Sequence, residues 1–322
     1  MEEEGNRLWV RRLAAAGAGA LLAVGLSLAR ARHEPALPPP GPVRWWLADR
    51  DADELCGLDE DLVLSRRVRI EKPCRVRSTP DGGAWVLSGG SPQTLLRIES
   101  SGSVARVLEV GVCTGLDSLA SGDAVWLERD RLLRCGLEGE PRIVHEGAEL
   151  ACIAASDGAL FAGDARGEVL RWQDPESGEA PECTALDGPV VALARGGVPG
   201  GVYALTGSDG GELSLIGPGL STLWTVAPGL TGPRAGPVVA EQRIWIAAGD
   251  GSAVRCFGRD GALELERPAL PAVACTRVLA DGEGGVLLLA VGAVLRLDRR
   301  GRLAPGQGGF ACLVDGDRVE GP

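Results

Sequence analysis

Lysine, asparagine and histidine are almost missing from these 322 residues. The chain has one lysine (Lys72), one asparagine (Asn6) and two histidines (His33 and His145). Each shortage removes chemistry. Acid–base catalysis relies most often on histidine, and a general base needs a second positioned group. His33 lies in a proline-rich stretch, and His145, in PRIVHEG, reads as a surface or capping residue. With one asparagine, at position 6, an asparagine metal ligand is unavailable to the rest of the chain. The nine cysteines include no C-x-x-C pair, so zinc and thiol-redox motifs lack support. Basic charge is also short: the net charge is −11, and the first 42 residues (five Arg against four Glu) contribute about +1. The remainder is strongly acidic and repels phosphate backbones, which excludes nucleic acid as a partner.

What is present is apolar surface and turns. Hydrophobic residues make up 45% and charged residues 24%, a globular balance, and one large domain accounts for the length. The 48 Gly and 21 Pro follow no collagen-like period, so they predict many turns between many short strands.

The N-terminus reads as a targeting device. Leu13 to Ala29 is an uncharged run of 17 residues led by Arg7, Arg11 and Arg12. Charged lead, apolar middle and Ala29-Arg30-Ala31 fit a signal peptide with its cleavage site, while 17 residues is also the lower limit for a membrane-spanning helix. Arg30 and Arg32 oppose translocation and count against both readings. A buried core helix is disfavoured because the run has no polar face. His33 to Val43, HEPALPPPGPV, predicts a stiff polyproline II spacer that would hold a domain off a membrane, and this favours an anchor over a cleaved signal. The expected organisation is a hydrophobic helix over 1–31, signal peptide or membrane anchor, a Pro-rich linker over 32–42 and one domain over 43–322. The domain is expected in the cell envelope, tethered and facing the periplasm or exterior, or secreted.

From Trp45 onward the chain repeats about every forty residues. The clearest unit is Thr79 to Val104, TPDGGAWVLSGGSPQTLLRIESSGSV: a turn at Asp81-Gly82-Gly83, an apolar strand carrying Trp85, a second strand at Leu95 to Glu99, and a turn at Ser101-Gly102. A column of large residues recurs at Trp46, Trp85, Trp126, Phe161, Tyr203, Trp245 and Leu287. Another recurs at Cys56, Ile98, Cys135, Trp172, Ile216, Cys256 and Leu297, several of them preceded by Arg97, Arg134, Arg171, Arg255 and Arg296. A third precedes each turn at Cys74, Cys113, Cys152, Val191, Val239, Cys275 and Cys312, and predicts the innermost strands of a propeller. A unit that cannot bury its own face must stack on its neighbours. The last unit ends after one strand, with Asp315-Gly316 read as its turn, and the first unit lacks an innermost strand. The C-terminal segment is therefore expected to pair inside the blade begun by Arg44 to Ile70 and close the ring. The predicted fold is all-β: a seven-bladed β-propeller with an N-terminal hydrophobic helix.

DGGAWVLS with LLRIESSG, and GGVLLLA with VLRLDRRGR, resemble the blades of the NHL-repeat and streptogramin-lyase propellers over about residues 43 to 318. The resemblance implies architecture, and it invites a search for the histidine and divalent metal that such lyases use at the mouth of the axis. Neither His33 nor His145 matches that histidine. Asp81, Asp123, Asp157, Asp281 and Asp315 recur beside glycine and read as turn formers ahead of calcium ligands. Cysteines that alternate with Ile, Val, Leu and Trp behave as small buried hydrophobes, so free thiols are expected, with Cys183 the least regular. The repeated third-strand arginines stand one per blade, away from the axis, and predict ion pairs to acidic turns. Arg75, Arg77 and Arg277, on innermost segments, are the candidate ligand-binding residues of the channel. No catalytic residue, metal ligand or cofactor is expected. The functional expectation is a binding or protein-interaction scaffold taking a protein or small ligand at a propeller face, with the membrane engaged through the N-terminal segment. The alternative is a metal-dependent enzyme of the lyase or lactonase propeller class.

Overall fold

The computed structural model of the protein describes residues 42–147, 149–196, 198–207, 211–230, 234–248, 252–268, 275–290 and 292–319. The expected hydrophobic helix and nearly all of the proline-rich linker lie outside them. Among the described residues there is no helix, and none that is long and apolar enough to cross a membrane.

Among the described residues, twenty-eight strands form seven four-stranded antiparallel sheets. The first blade holds β1 (Trp45–Asp49), β2 (Glu54–Leu58) and β3 (Leu64–Arg69). The second runs through β4 (Pro73–Ser78), β5 (Ala84–Ser88), β6 (Gln93–Ile98) and β7 (Val104–Val110). The third comprises β8 (Cys113–Ser118), β9 (Ala124–Glu128), β10 (Arg131–Cys135) and β11 (Arg142–Glu146), and the fourth β12 (Leu150–Ser156), β13 (Ala159–Asp164), β14 (Glu168–Trp172) and β15 (Glu182–Ala185). In the fifth are β16 (Val190–Arg195), β17 (Val202–Thr206), β18 (Leu213–Ile216) and β19 (Thr222–Val226). The sixth has β20 (Arg234–Ala240), β21 (Arg243–Ala248), β22 (Ala253–Phe257) and β23 (Leu263–Pro268), and the seventh β24 (Cys275–Ala280), β25 (Val286–Ala290), β26 (Ala293–Leu297) and β27 (Leu303–Gly308). The C-terminal β28 (Leu313–Arg318) pairs with β1, placing Trp46 opposite Asp317. The chain is thus a seven-bladed β-propeller closed by its own tail, as the repeat pattern predicts.

The second strand of each blade is buried along almost its whole length because both of its faces are covered. β5 (AWVLS) and β9 (AVWLE) are buried at every position, and the hydrophobic clusters lie between blades, not within them. Trp46 packs with Val76, Ala84 and Val86 of the next blade, and Trp85 with Leu116, Ala124 and Trp126 of the next. The two indoles also donate forward, Trp46 Nε1 to the Gly82 carbonyl at 3.1 Å and Trp85 Nε1 to that of Gly122 at 2.8 Å. Gly82 sits at φ +84°, a turn conformation open to glycine.

Three details differ from the sequence reading. Trp126 does not occupy the Trp46 and Trp85 column. Val125 stands in that register, opposite Asp117, and Trp126 is one residue along, so it packs backward against Trp85. A one-residue offset moves a side chain to the other face of a strand. Asp315-Gly316, read as a turn, lies within β28. Gly316 is there for space: a Cβ would come within 2.6 Å of Leu47 Cδ2 and 3.0 Å of Leu279 Cδ1. Cys312, placed in the innermost column, precedes β28, and its carbonyl accepts from Arg50 N–H at 3.0 Å.

Candidate functional site: the charged axis

The seven innermost strands, β28, β4, β8, β12, β16, β20 and β24, are neighbours in a closed circle around the axis. Each has only one hydrogen-bonded partner strand, so its inner edge leaves backbone N–H groups that something else must satisfy. Antiparallel register defines two levels along this circle. At one level Asp315, Arg75, Gly115, Cys152, Ala192 and Arg277 face the penultimate residue of the second strand. Two residues on, about 7 Å along the strand, Asp317, Arg77, Asp117, Ala154, Ala194, Val238 and Leu279 form the second level.

Charge is confined to one side of both levels. Asp315 accepts from the backbone N–H of Val76 at 3.0 Å and from Arg77 Nη1 at 2.9 Å, and its other oxygen lies 3.3 Å from Arg277 Nε without hydrogen-bond geometry. Asp317 Oδ2 accepts from the N–H and the hydroxyl of Ser78, both at 2.9 Å. Asp117 accepts from Ser118 N–H and, across the blade boundary, from Ala155 N–H, each at 2.8 Å; Arg77 Nε stands 3.7 Å from it. In all three cases a carboxylate on one blade caps a backbone N–H on the inner edge of the next. The charges tune one another. Burial pushes the Asp315 carboxyl up, but Arg77, Arg277 and Arg75 outweigh that and hold it below its ordinary value. Burial dominates at Asp317 and raises its carboxyl, with Arg77 pulling the other way. Burial also lowers Arg277, and Arg77 and Arg75 add to the effect against the attraction of Asp315. For Arg77, burial is overcome by Asp315, Asp317 and Asp117, and its basicity rises.

Of the three arginines expected in the channel, Arg77 and Arg277 converge on Asp315. Arg75, half-buried at the same level as Arg277, makes no hydrogen bond or ion pair with the described residues. Asp117 and Asp317 have no role in the sequence reading and Asp315 is read there as a turn former, although Asp117, Asp315 and Asp317 lie on innermost strands with the same period of two as Arg75 and Arg77.

The other candidates resolve into structure. Arg97, Arg134 and Arg296 pair with Asp81, Asp123 and Asp281 of their own blades' turns, at 2.5, 2.5 and 3.2 Å. Arg171 and Arg255 pair instead with Glu182 and Glu266 on the adjoining outer strand. Asp157 accepts from Gly200 N–H of the following blade. The run Asp49-Arg50-Asp51-Ala52-Asp53 carries the D-x-D-x-D alternation of a calcium loop, against the expectation from the sequence that the chain has none. Here Asp49 accepts from the Ala311 and Cys312 N–H groups, Asp53 from Lys72 N–H, and Asp51 pairs with Arg50. Among the described residues no three His, Cys, Asp or Glu side chains stand together as metal ligands. The nine cysteines are free thiols, Cys183 the exposed one, and burial pushes Cys56, Cys113, Cys152, Cys256 and Cys275 up to about 12. His145, on an outermost strand, packs edge-on against Trp172 of the next blade at 5.3 Å, and burial lowers its basicity. A cleft of about 250 Å³ at the ring closure, bordered by Asp49, Glu54, Cys56, Arg67 and Phe310, lies apart from the charged axis.

The sequence matches no protein-family model and no curated protein. Solved structures share the fold. Apo AztD from Citrobacter koseri superposes with a TM-score of 0.70 at 11% identity, over 87% of this chain and 98% of that one. A catalytically inactive virginiamycin B lyase from Staphylococcus aureus, with quinupristin, gives 0.61 at 15% identity over 76% and 87%. The Cps50 (Swd1) β-propeller domain from Myceliophteria thermophila gives 0.59 at 16% over 74% and 86%. These likenesses show the β-propeller fold alone; activity has to be argued from this chain's own side chains.

Proposed function

We propose that the protein is an exported, membrane-tethered β-propeller that works without catalysis as a binding or protein-interaction scaffold, with Arg75, Arg77 and Arg277 as its ligand-contacting residues. One observation carries this reading: the axial carboxylates already accept backbone N–H groups and guanidinium donors from neighbouring blades. They serve the ring as clips between blades. Asp315, held below its ordinary value by its arginines, is a poor general base at neutral pH. Tethering rests on the 17-residue apolar run and the stiff spacer after it. The partner is a protein or a small ligand at a propeller face.

The second reading, a metal-dependent lyase or lactonase, draws support from the fold shared with virginiamycin B lyase. Metal analysis separates the two. The full-length protein, purified in detergent with and without added calcium or magnesium, is expected to retain less than a stoichiometric amount of either. One equivalent that is lost in Asp315→Asn overturns the scaffold reading. Fractionation tests the tether: the chain is expected in membranes after a high-salt wash and to be released by detergent. Recovery in the soluble fraction with an intact N-terminus refutes it.

A further inference from the structure

We propose that the axial level formed by Arg277, Asp315 and Arg75 is a receptor site for a small carboxylate or phosphate anion. This rests on the binding reading above and gives it a ligand class. The argument begins with a count of charges at that level. Two guanidiniums flank one carboxylate on three successive innermost strands, β24, β28 and β4. Asp315 is shared further, because Arg77 reaches it from the second level at 2.9 Å. Its Oδ2 is occupied by Val76 N–H and Arg77, and its Oδ1, buried with the rest of the side chain (4% exposed), lies 3.3 Å from Arg277 Nε and holds no hydrogen bond. Arg77 has Asp117 as a second partner, but at this level two guanidiniums stand against the one carboxylate of Asp315.

The surplus is positive and has spare donors. Arg277 turns only its Nε toward Asp315 and leaves 34% of its side chain exposed. Arg75 is half-buried with no hydrogen bond or ion pair to the described residues. Asp117, at the second level on the following blade, makes no ion pair with Arg75 and turns instead to Arg77 and to two backbone N–H groups. A half-buried guanidinium keeps its charge at any ordinary pH, and burial without a partner is costly, so the arrangement favours an incoming anion. Guanidinium forks match the two oxygens of a carboxylate or phosphate. The other strands bring no bulky side chain to this level, where Gly115, Cys152 and Ala192 stand, and the β16 strand that carries Ala192 is partly exposed from Val191 to Arg195. The overall acidity of the protein raises the barrier to entry and confines recognition to this level, where the local balance is positive.

The test is calorimetric titration of the full-length protein in detergent at low ionic strength, with inorganic phosphate in one arm and succinate in the other. Saturable binding of one anion per chain is expected in at least one arm, and the arm that saturates identifies the chemistry. Arg75→Gln and Arg277→Gln are each expected to weaken it about tenfold or more, the effect of losing one charge-assisted hydrogen bond. Arg300→Gln, in an exposed outer turn, should leave it unchanged. Arg75→Gln removes a side chain with no bonded partner, so it stays informative even where Arg277→Gln unfolds the ring. Absence of saturation in both arms, or an unchanged dissociation constant in Arg75→Gln, overturns the proposal. A bound anion that is chemically converted, followed by NMR, would leave the site standing and sink the non-catalytic reading. A tethered propeller that binds neither anion does the opposite.

Discussion

The two sides of the ring seal the same exposed edge in different ways. Where β28, β4 and β8 meet, carboxylates of one blade accept N–H groups of the next: Asp315 from Val76, Asp317 from Ser78, and Asp117 from Ala155. Beyond that boundary, at the same two levels, β12 and β16 carry Cys152, Ala154, Ala192 and Ala194, and the contact is close packing. Ala154 belongs to a cluster with Phe161, Val190 and Ala204. Between β12 and β16 the inner strands carry no carboxylate clip, so the concentration of charge on the other side exceeds what packing the inner strands together requires. That asymmetry is the main reason to look for ligand recognition at the axis and not at the outer strands.

The comparison breaks most readily at Asp315. Asp315→Ala removes one partner from a buried network and leaves Arg77, Arg277 and the Val76 N–H uncompensated, an expected loss of about 3–5 kcal/mol. Urea denaturation monitored by tryptophan fluorescence measures it. A loss below about 1 kcal/mol would mean that the charged side is ornamental. Asp117→Ala is expected to cost less, about 1–3 kcal/mol, because it chiefly orphans the Ala155 N–H, and Arg77 keeps its closer partner Asp315. Equal costs for the two variants would show that Asp315 is not the centre of the cluster.

The architecture was legible in the sequence because blades repeat and their second strands are mostly apolar, so seven units, and the tail completing the first, follow from pattern alone. Register was not legible at every blade. Val125 and Trp126 are both apolar and both buried, so nothing local says which faces forward. Size suggested Trp126, whereas the pairing of Asp117 with Val125 decides for the other. The same weakness hid the axial carboxylates: Asp315-Gly316 looks like the other Asp-Gly turns, and only the space between Leu47 and Leu279 shows why a strand needs glycine there. Arg75, Arg77 and Arg277 were found because arginine on an innermost strand has no turn to explain it. The register correction carries its own test. Trp85→Ala and Trp126→Ala, sharing one cluster, should couple by about 0.5–3 kcal/mol in a double-mutant cycle, while Trp46→Ala and Trp126→Ala should add within about 0.5 kcal/mol.

The finest comparison lies within β28, where two carboxyls two residues apart respond to acid in opposite directions. The Asp315 value is depressed by its arginines, so its stabilisation is complete above the ordinary 3.8 and is lost as pH falls through the lowered value. That of Asp317 is raised by burial, so its ionised form costs stability at neutral pH, and the cost fades as pH falls through the raised value. Asp315→Asn is therefore expected to destabilise at pH 7 and to flatten the acid limb of the stability curve. Asp317→Asn keeps an acceptor for Ser78 and discards the buried charge. It should change stability at pH 7 by less than about 1 kcal/mol, with any gain shrinking toward acid. Denaturation midpoints between pH 3 and 7 decide the matter, and parallel curves for the two variants would show that the guanidiniums do not distinguish the two carboxyls.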